Sequence, residues 1–576
     1  MKIKHFFGLA VIAAMTASCS SNEDLGTADP GTGTNEAGVG YASFSINLPT
    51  TRGTRATADP TFEKGDANEY DVFNATLLVF KKGTATSEGD YTLAETVDLG
   101  SMEPWKKPNE TGVTTQAKIT AKLGNVDKNE AYFALVLLNN GSGTDEKVNL
   151  PAVNTKYSEW NIADNAKDKF ANYDKGFYMA NAPLHNNIDK SVTTLVAIDQ
   201  DKIFPTEAQA SSGEAAADIY VERGLAKVTL TAATKNEKIV GGSTYKGDKV
   251  TISNWALDVT NKKTFPIHNV DGLSTDYTDI WKNDPTKTAA PSTQRFVDNN
   301  SDTKVKRVYW GIDPNYKNNN LCSLDETGEK ARATEFNYVK NNTDVKAKPT
   351  DPLYCLENTF NLENMKQGQT TRVIFKASYT PNDFTTADGK TFYKVGTSVA
   401  LWSKTNLENH IKAAVSKVIP VTTTDEIDIK LDAEDNNITA AGNHEITKSN
   451  IFVTGHIVTE AEVKAVNEKV GLTEKAGIST YANGESYYIA RIKHFGDDLT
   501  PWISGETYND DNLKYLGRYG MLRNNWYELE VNSVSGPGYP DVPEVKPNTP
   551  DDEDDKYINV SVKILDWAKR SQSVDL

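Results

Sequence analysis

The chain has 576 residues, of which 38% are hydrophobic and 24% charged, and its formal net charge is −17. That length accommodates two or three domains. The acidic balance argues against a nucleic-acid partner, which needs a basic patch, and suits a solvated surface protein.

At the N-terminus Lys2, Lys4 and His5 form a basic region and Phe6 to Met15 an apolar one. The apolar run is shorter than the ~20 residues that span a bilayer, so it reads as a secretion signal. Thr16-Ala17-Ser18 then precede Cys19. This order reads as a lipoprotein signal over residues 1–18, with Cys19 becoming the lipidated N-terminus. Thr16 departs from a stricter lipobox, which has a large apolar residue there, and ordinary cleavage near Ser18 is the alternative. One lipid chain holds a membrane only marginally, so a triacylated cysteine is the anchoring reading. Ser20 to Gly40, rich in Gly, Thr, Asp and Asn, reads as a flexible leash.

The first strand follows. From Tyr41 to Leu48 the sequence alternates: Ala42, Phe44, Ile46 and Leu48 point one way, Ser43, Ser45 and Asn47 the other. Such period-two alternation predicts a half-buried β-strand. The loop Pro49 to Ala58 combines small polar residues with Arg52 and Arg55, the profile of a protease-accessible loop. The plainer reading is that both arginines only solubilise it. Removing residues 1–55 would take away four basic residues (Lys2, Lys4, Arg52, Arg55) and four acidic ones (Glu23, Asp24, Asp29, Glu36), leaving the charge unchanged.

The body is rich in Thr, Val, Tyr and Asn. Short apolar runs recur between turn residues, among them Ala75–Phe80, Ala131–Leu138, Lys227–Thr231, Thr371–Tyr379 and Trp526–Val531. Many short strands of this kind predict a β-sandwich or barrel. Two segments read as helices. Thr459-Glu-Ala-Glu462 is a capping box that opens an amphipathic run through Val463, Val466 and Val470, closed by Gly471. Leu407, Ile411, Ala414 and Val415 recur at helical spacing before Pro420. Tyr220 to Leu230 reads as the closing strand of a first sandwich, with a boundary near residue 233, and Asn269 to Asn342 reads as long loops.

Two cysteines remain beyond Cys19. Cys322 and Cys355 are a candidate disulfide pair in an oxidising compartment. The alternative is that Cys355, within Leu353-Tyr-Cys-Leu356, packs as a small hydrophobe. No catalytic or metal constellation holds. His444-Glu445 lacks the second histidine of a zinc-protease helix, since residue 448 is lysine. Asp432 to Asn436 starts like a calcium loop, but Asn437 and Asn443 stand where an EF-hand has glycine and glutamate. No enzyme activity, metal or cofactor is expected.

Toward the C-terminus Pro537, Pro540, Pro543, Pro547 and Pro550 precede the acidic run Asp551 to Asp555. Proline and like charge extend a chain, so residues 537–555 read as a tether reaching on the order of 60 Å. Tyr557 to Ile564 repeats the rhythm of the first strand, with Ile558, Val560, Val562 and Ile564 on one side.

Taken in order, these features resemble the fimbrillins of type V fimbriae. The signal ending Ala17-Ser18-Cys19, the first strand with its arginine loop, Val221–Val228, Tyr354–Thr359 followed by Thr371–Val373 and Tyr379–Pro381 all carry the likeness. Leu522–Asn525, the tether and the end Trp567 to Leu576 are similar to the minor-fimbrium branch. The resemblance implies a mostly β chain with two tandem transthyretin-like β-sandwich domains, short helical insertions and a C-terminal donor strand. Its implied organisation is a propeptide over 19–55, sandwiches over 56–233 and 234–536, a tether over 537–555 and a donor strand over 556–576.

The resemblance also implies cleavage by an Arg-specific protease at Arg55, or else Arg52. Loss of Ala42, Phe44, Ile46 and Leu48 would follow, with replacement by Ile558, Val560, Val562, Ile564 and Trp567 of the next identical subunit. Implied partners are tip and anchor fimbrial proteins, the outer membrane through the precursor's lipid, and host or bacterial receptors. The mature protein would sit in a fimbrium on the cell surface and act in adhesion, biofilm formation and virulence. A tip or anchor subunit and a monomeric glycan-binding lipoprotein are the alternatives.

Overall fold

A computed structural model describes residues 33–48, 69, 71–100, 116–127, 129–186, 191–271, 305–318, 321, 332–495, 500, 502–503, 505–546, 549–552 and 558–565. The described residues are mostly β, with few helices.

The first unit uses β1 (Gly40–Asn47), β2 (Ala75–Lys81), β3 (Thr92–Gly100), β4 (Gln116–Leu123), β5 (Tyr132–Leu138), β6 (Met179–Asn181) and β7 (Ala217–Arg223). They hydrogen-bond in the order β3-β2-β5-β6-β7-β1-β4. β7 pairs with β1 through Ala217–Tyr220 and with β6 through Val221–Arg223, so the sheet changes partners along one strand. Ala42, Phe44 and Ile46 from one side of this switch share a core with Leu77, Val79 and Val136 from the other. The runs in β2 and β5 do not alternate because both of their faces are covered. Leu78, Phe80, Leu135 and Leu137 fill a second cluster with Tyr157, Trp160, Leu225 and Leu356. Helix α1 (Glu207–Ser212) starts at Thr206, whose hydroxyl accepts from the Gln209 amide, and lies against β1 and β4.

The single closing strand expected over 220–230 is two strands in two sheets. β7 ends at Arg223, and β8 (Leu225–Leu230) begins the second unit after Gly224. A Cβ at Gly224 would lie 2.6 Å from the Phe170 ring, so glycine permits this close passage. The change of sheet therefore falls at Gly224 rather than near 233. Asn524 pins it: its amide donates to the Leu225 carbonyl (2.7 Å) and its side-chain oxygen accepts from the Arg223 amide (3.1 Å).

The second unit adds β9 (Lys249–Asp258), β10 (Leu353–Leu356), β11 (Arg372–Thr380), β12 (Glu485–Arg491), β13 (Trp526–Val534) and β14 (Ile558–Leu565). One sheet runs β10-β8-β13-β14. The other runs from the short strand Lys238–Ile239 through β9 and β11 to β12. Val228, Tyr527, Leu529 and Val531 of the first meet Trp255, Val373, Phe375 and Tyr488 of the second in one core, the arrangement of a β-sandwich. An insertion carries α2 (Lys404–Val418) and α3 (Glu460–Val470), the two helices expected from spacing. Leu407, Ile411 and Val415 pack with Val463, Val466 and Val470. Thr459 and Glu462 form the reciprocal cap, and Gly471 closes α3 at φ +98°.

The two units meet through buried charge as well as through apolar contact. Glu222 of β7 accepts from His268 Nδ1 at 2.7 Å and pairs with Arg307 at 3.1 Å. Burial pushes the Glu222 carboxyl up, but His268, Arg307 and Arg523 outweigh it and hold the group below its ordinary value. Arg523 also pairs with Glu357 at 3.2 Å.

Glu88 behaves differently. Its carboxylate accepts the Thr194 and Leu195 amides, yet burial outweighs these bonds and pushes it from 4.5 up to about 7. A raised carboxyl keeps a proton that the unfolded chain releases. Its stabilising contribution is therefore full below pH 4.5 and lost as pH rises through about 7. Glu88→Gln, which still accepts from both amides, should flatten that part of the profile. Urea midpoints of both proteins at pH 4.5 and 7.5 check this.

Candidate strand-exchange site

β1 is an interior strand with ladders on both edges. It runs parallel to β7 in the register Phe44–Ala217 to Asn47–Tyr220, and antiparallel to β4 from Gly40–Leu123 to Asn47–Gln116. Further backbone bonds extend the grip. The Ala216 amide donates to the Ser43 carbonyl (2.7 Å), and Tyr41 and Phe204 exchange amide-to-carbonyl bonds of 2.7 and 2.8 Å.

Ala42, Phe44 and Ile46 are fully buried in the first core and Leu48 is 3% exposed. The opposite face differs from the half-buried strand expected. Ser43 is fully buried and Ser45 nearly so, because α1 covers them. Ser43 Oγ donates to the Ala210 carbonyl at 2.7 Å and lies 2.8 Å from Thr120 Oγ1. Lys118 Nζ donates to the carbonyls of Ser211 (2.9 Å) and Gly213, satisfying the end of α1. Small hydroxyls let a strand be buried on both faces without orphaned polar groups.

The C-terminal strand β14 lies antiparallel to β13 of its own second unit. Ile558, Val560, Val562 and Ile564 are Cα partners of Val534, Val531, Leu529 and Tyr527, all core residues. Val560 packs against that core.

The described part of the segment before β14, residues 537–546 and 549–552, is bound to the same unit, unlike the extended tether expected. Tyr539 and Tyr487 exchange backbone bonds of 2.7 and 2.9 Å, and the Pro543 carbonyl accepts from Arg372 at 2.7 Å. Gly538 sits where a Cβ would be 2.1 Å from the Tyr487 carbonyl. Asp551, fully buried, pairs with Arg491 at 3.3 Å and accepts the Thr370 hydroxyl at 2.5 Å. Asp552 accepts from Arg518 at 2.8 Å, from Tyr519 at 2.8 Å and from Tyr508. The run Asp551–Asp555 looks like a solvated acidic stretch, and only the fold shows that its first two members face buried arginines.

Cys355 lies in β10, 3% exposed, as a free thiol that burial pushes up to about 12. An un-ionised, enclosed thiol packs and does not react. Cys19, Arg52, Arg55, Cys322 and Trp567 lie outside the described residues. His444 closes a short strand, Gly442–His444, with Nε2 2.8 Å from the Ala440 carbonyl.

Residues 479–573 match the family model described as the C-terminal part of fimbrillin, the major fimbrial subunit protein type IV. The match takes in β12, β13, the bound segment and β14. No curated protein matches the chain. Two solved structures, both described as candidate cell adhesion proteins from Parabacteroides distasonis ATCC 8503, are similar to it. One shows 10% identity, covers 92% of this chain and 98% of its own, and has a TM-score of 0.35. The other shows 12% identity, covers 92% and 99%, and has a TM-score of 0.33.

Removing one partner of a buried ion pair costs about 3–5 kcal/mol. Asp551→Ala is therefore expected to destabilise the second unit by roughly that amount. Urea unfolding followed by the tryptophan signal measures it.

Proposed function

We propose, from the premise that this chain is a fimbrillin-family protein, that it is a shaft subunit of cell-surface fimbriae that polymerises by donor-strand exchange. The observation that carries the reading is β1: an interior strand, core-filling and bonded on both edges, supplied by the segment that precedes the arginine loop. Cutting after Arg55, with Arg52 as second choice, would leave β1 with no covalent tie to the body. Its departure would leave an apolar groove flanked by two unpaired strand edges, a template for an incoming strand.

The strand proposed to enter is β14 of the next subunit, with Ile558, Val560, Val562 and Ile564 replacing Ala42, Phe44, Ile46 and Leu48. Burying one side chain of this size contributes ~1.5–3 kcal/mol, so four give roughly 6–12 before ordering costs and before the contacts that β14 gives up on β13 are subtracted. A head-to-tail contact that does not close on itself makes a filament. Before the cut, Cys19 and its lipid would hold the precursor at the outer membrane. Accessory tip and anchor subunits would begin and end the fibre, and surface receptors would be its targets in adhesion and biofilm formation. A terminal strand of matching rhythm favours a shaft subunit over a tip, which needs only to accept.

Purified precursor treated with an Arg-specific protease should release its N-terminal segment and form SDS-resistant ladders. A version ending at Asp555 should be cut but form none; ladders from it would sink the donor assignment. The double variant Arg52→Ala, Arg55→Ala should stay uncut and monomeric. Phe44→Ala should destabilise the precursor by about 3–5 kcal/mol. It should leave the heat resistance of finished ladders unchanged, because residue 44 is absent from them.

A further inference from the structure

Glu69 is the first described residue beyond the arginine loop, and it is completely buried. Its carboxylate pairs with Lys227 Nζ of β8 at 2.5 Å and accepts the Tyr354 hydroxyl of β10 at 2.7 Å. Its main-chain carbonyl accepts from Arg223, the last residue of β7, through Nε at 3.1 Å and a terminal nitrogen at 2.9 Å. Lys227 is enclosed too, 1% exposed, with Nζ 4.2 Å from the centre of the Trp526 ring. One residue thus holds the last strand of the first unit and two strands of the second, across the Gly224 junction. A buried carboxylate and ammonium are tolerated only as a pair, so this point of the chain has one well-defined seat.

We infer that Glu69 is the positioning residue that keeps the acceptor groove in shape once β1 has left, an inference that rests on the strand-exchange reading. None of its bonds named above involves residues 1–55, so cleavage at Arg55 leaves them intact. β7 would lose its partner along Ala217–Tyr220 and keep the β6 ladder and Asn524 on its backbone at Arg223, with Glu69 holding the Arg223 side chain. The same seat stops the new N-terminal segment from peeling back into Val72 and β2, which line the groove's floor. In the uncut chain β1 itself holds β7, and the Glu69 seat is redundant for the groove. Its effect is therefore conditional on the cut.

The test compares wild type with Glu69→Ala and with the pair Glu69→Ala, Lys227→Met, which leaves no buried ammonium stranded and so separates lost anchoring from failed folding. Each full-length chain is analysed before and after the Arg-specific protease by hydrogen exchange over residues 71–81 and 217–223. All three should be cut at the same rate and, uncut, exchange alike in the paired variant and wild type. After the cut, the paired variant should exchange at least tenfold faster in both segments and form ladders more slowly. Equal protection in cut wild type and cut paired variant would overturn the inference, as would faster exchange already present, to the same degree, in the uncut variant. A wild type that is cut yet forms no ladder would instead refute the shaft reading, and the exchange comparison would still decide the role of Glu69.

Discussion

The first unit depends on one constraint: its sheet is complete only while β1 lies between β7 and β4. A strand at a sheet's edge can be trimmed at modest cost. A strand bonded on both sides cannot, since each buried amide or carbonyl left unpaired costs about 1–3 kcal/mol. β1 is also the strand whose two faces are served by different chemistry. Phe44 and Ile46 fill the core, while Ser43 reaches Thr120 and the Ala210 carbonyl under α1. The most demanding position in the unit is therefore filled by the part of the chain that precedes the loop containing Arg52 and Arg55.

The second unit is held differently. In an acidic chain, several arginines and one lysine have been drawn inside and matched with carboxylates: Lys227 with Glu69, Arg372 with Asp258, Arg491 with Asp551, Arg518 with Asp552 and Arg523 with Glu357. Such pairs add little net stability over apolar residues, but breaking one is costly, so each fixes a location. The locations are the places where distant segments must stay together: residue 69 at the unit junction, and residues 551 and 552 at the root of the last strand.

How much of this was legible beforehand varies with the physics. Alternation places Ala42 to Leu48 and Trp526 to Val531 in strands, because an apolar core against one face writes a period of two into the sequence. The helices around Leu407–Val415 and Val463–Val470 were equally readable, the second because its cap is local chemistry. The burial of the β1 serines is not legible in the alternation, since a small hydroxyl looks the same whether it meets water or a neighbouring carbonyl. Tyr220 to Leu230 looked continuous because a change of sheet at Gly224 leaves the strand pattern on either side intact. The prolines before Asp551 argue for a free extended spacer. They said nothing about Arg372, Arg491 and Arg518, far away in sequence, which bind it down. Glu69 carries no local signal, as the partners named above lie at 223, 227 and 354.

The placement of β14 at the end of the order β10-β8-β13-β14 has an energetic consequence. At home this strand is bonded along one side, to β13 alone among the described strands. The slot occupied by β1 offers two sides, one parallel and one antiparallel. A strand that moves from the first position to the second exchanges a single ladder for a double one. Into a slot that β1 has already left, such a transfer would gain one ladder of backbone bonds even where side-chain burial merely breaks even. On the strand-exchange reading, β14 can then stay paired with β13 at rest without making its transfer to the emptied slot unfavourable in backbone bonding.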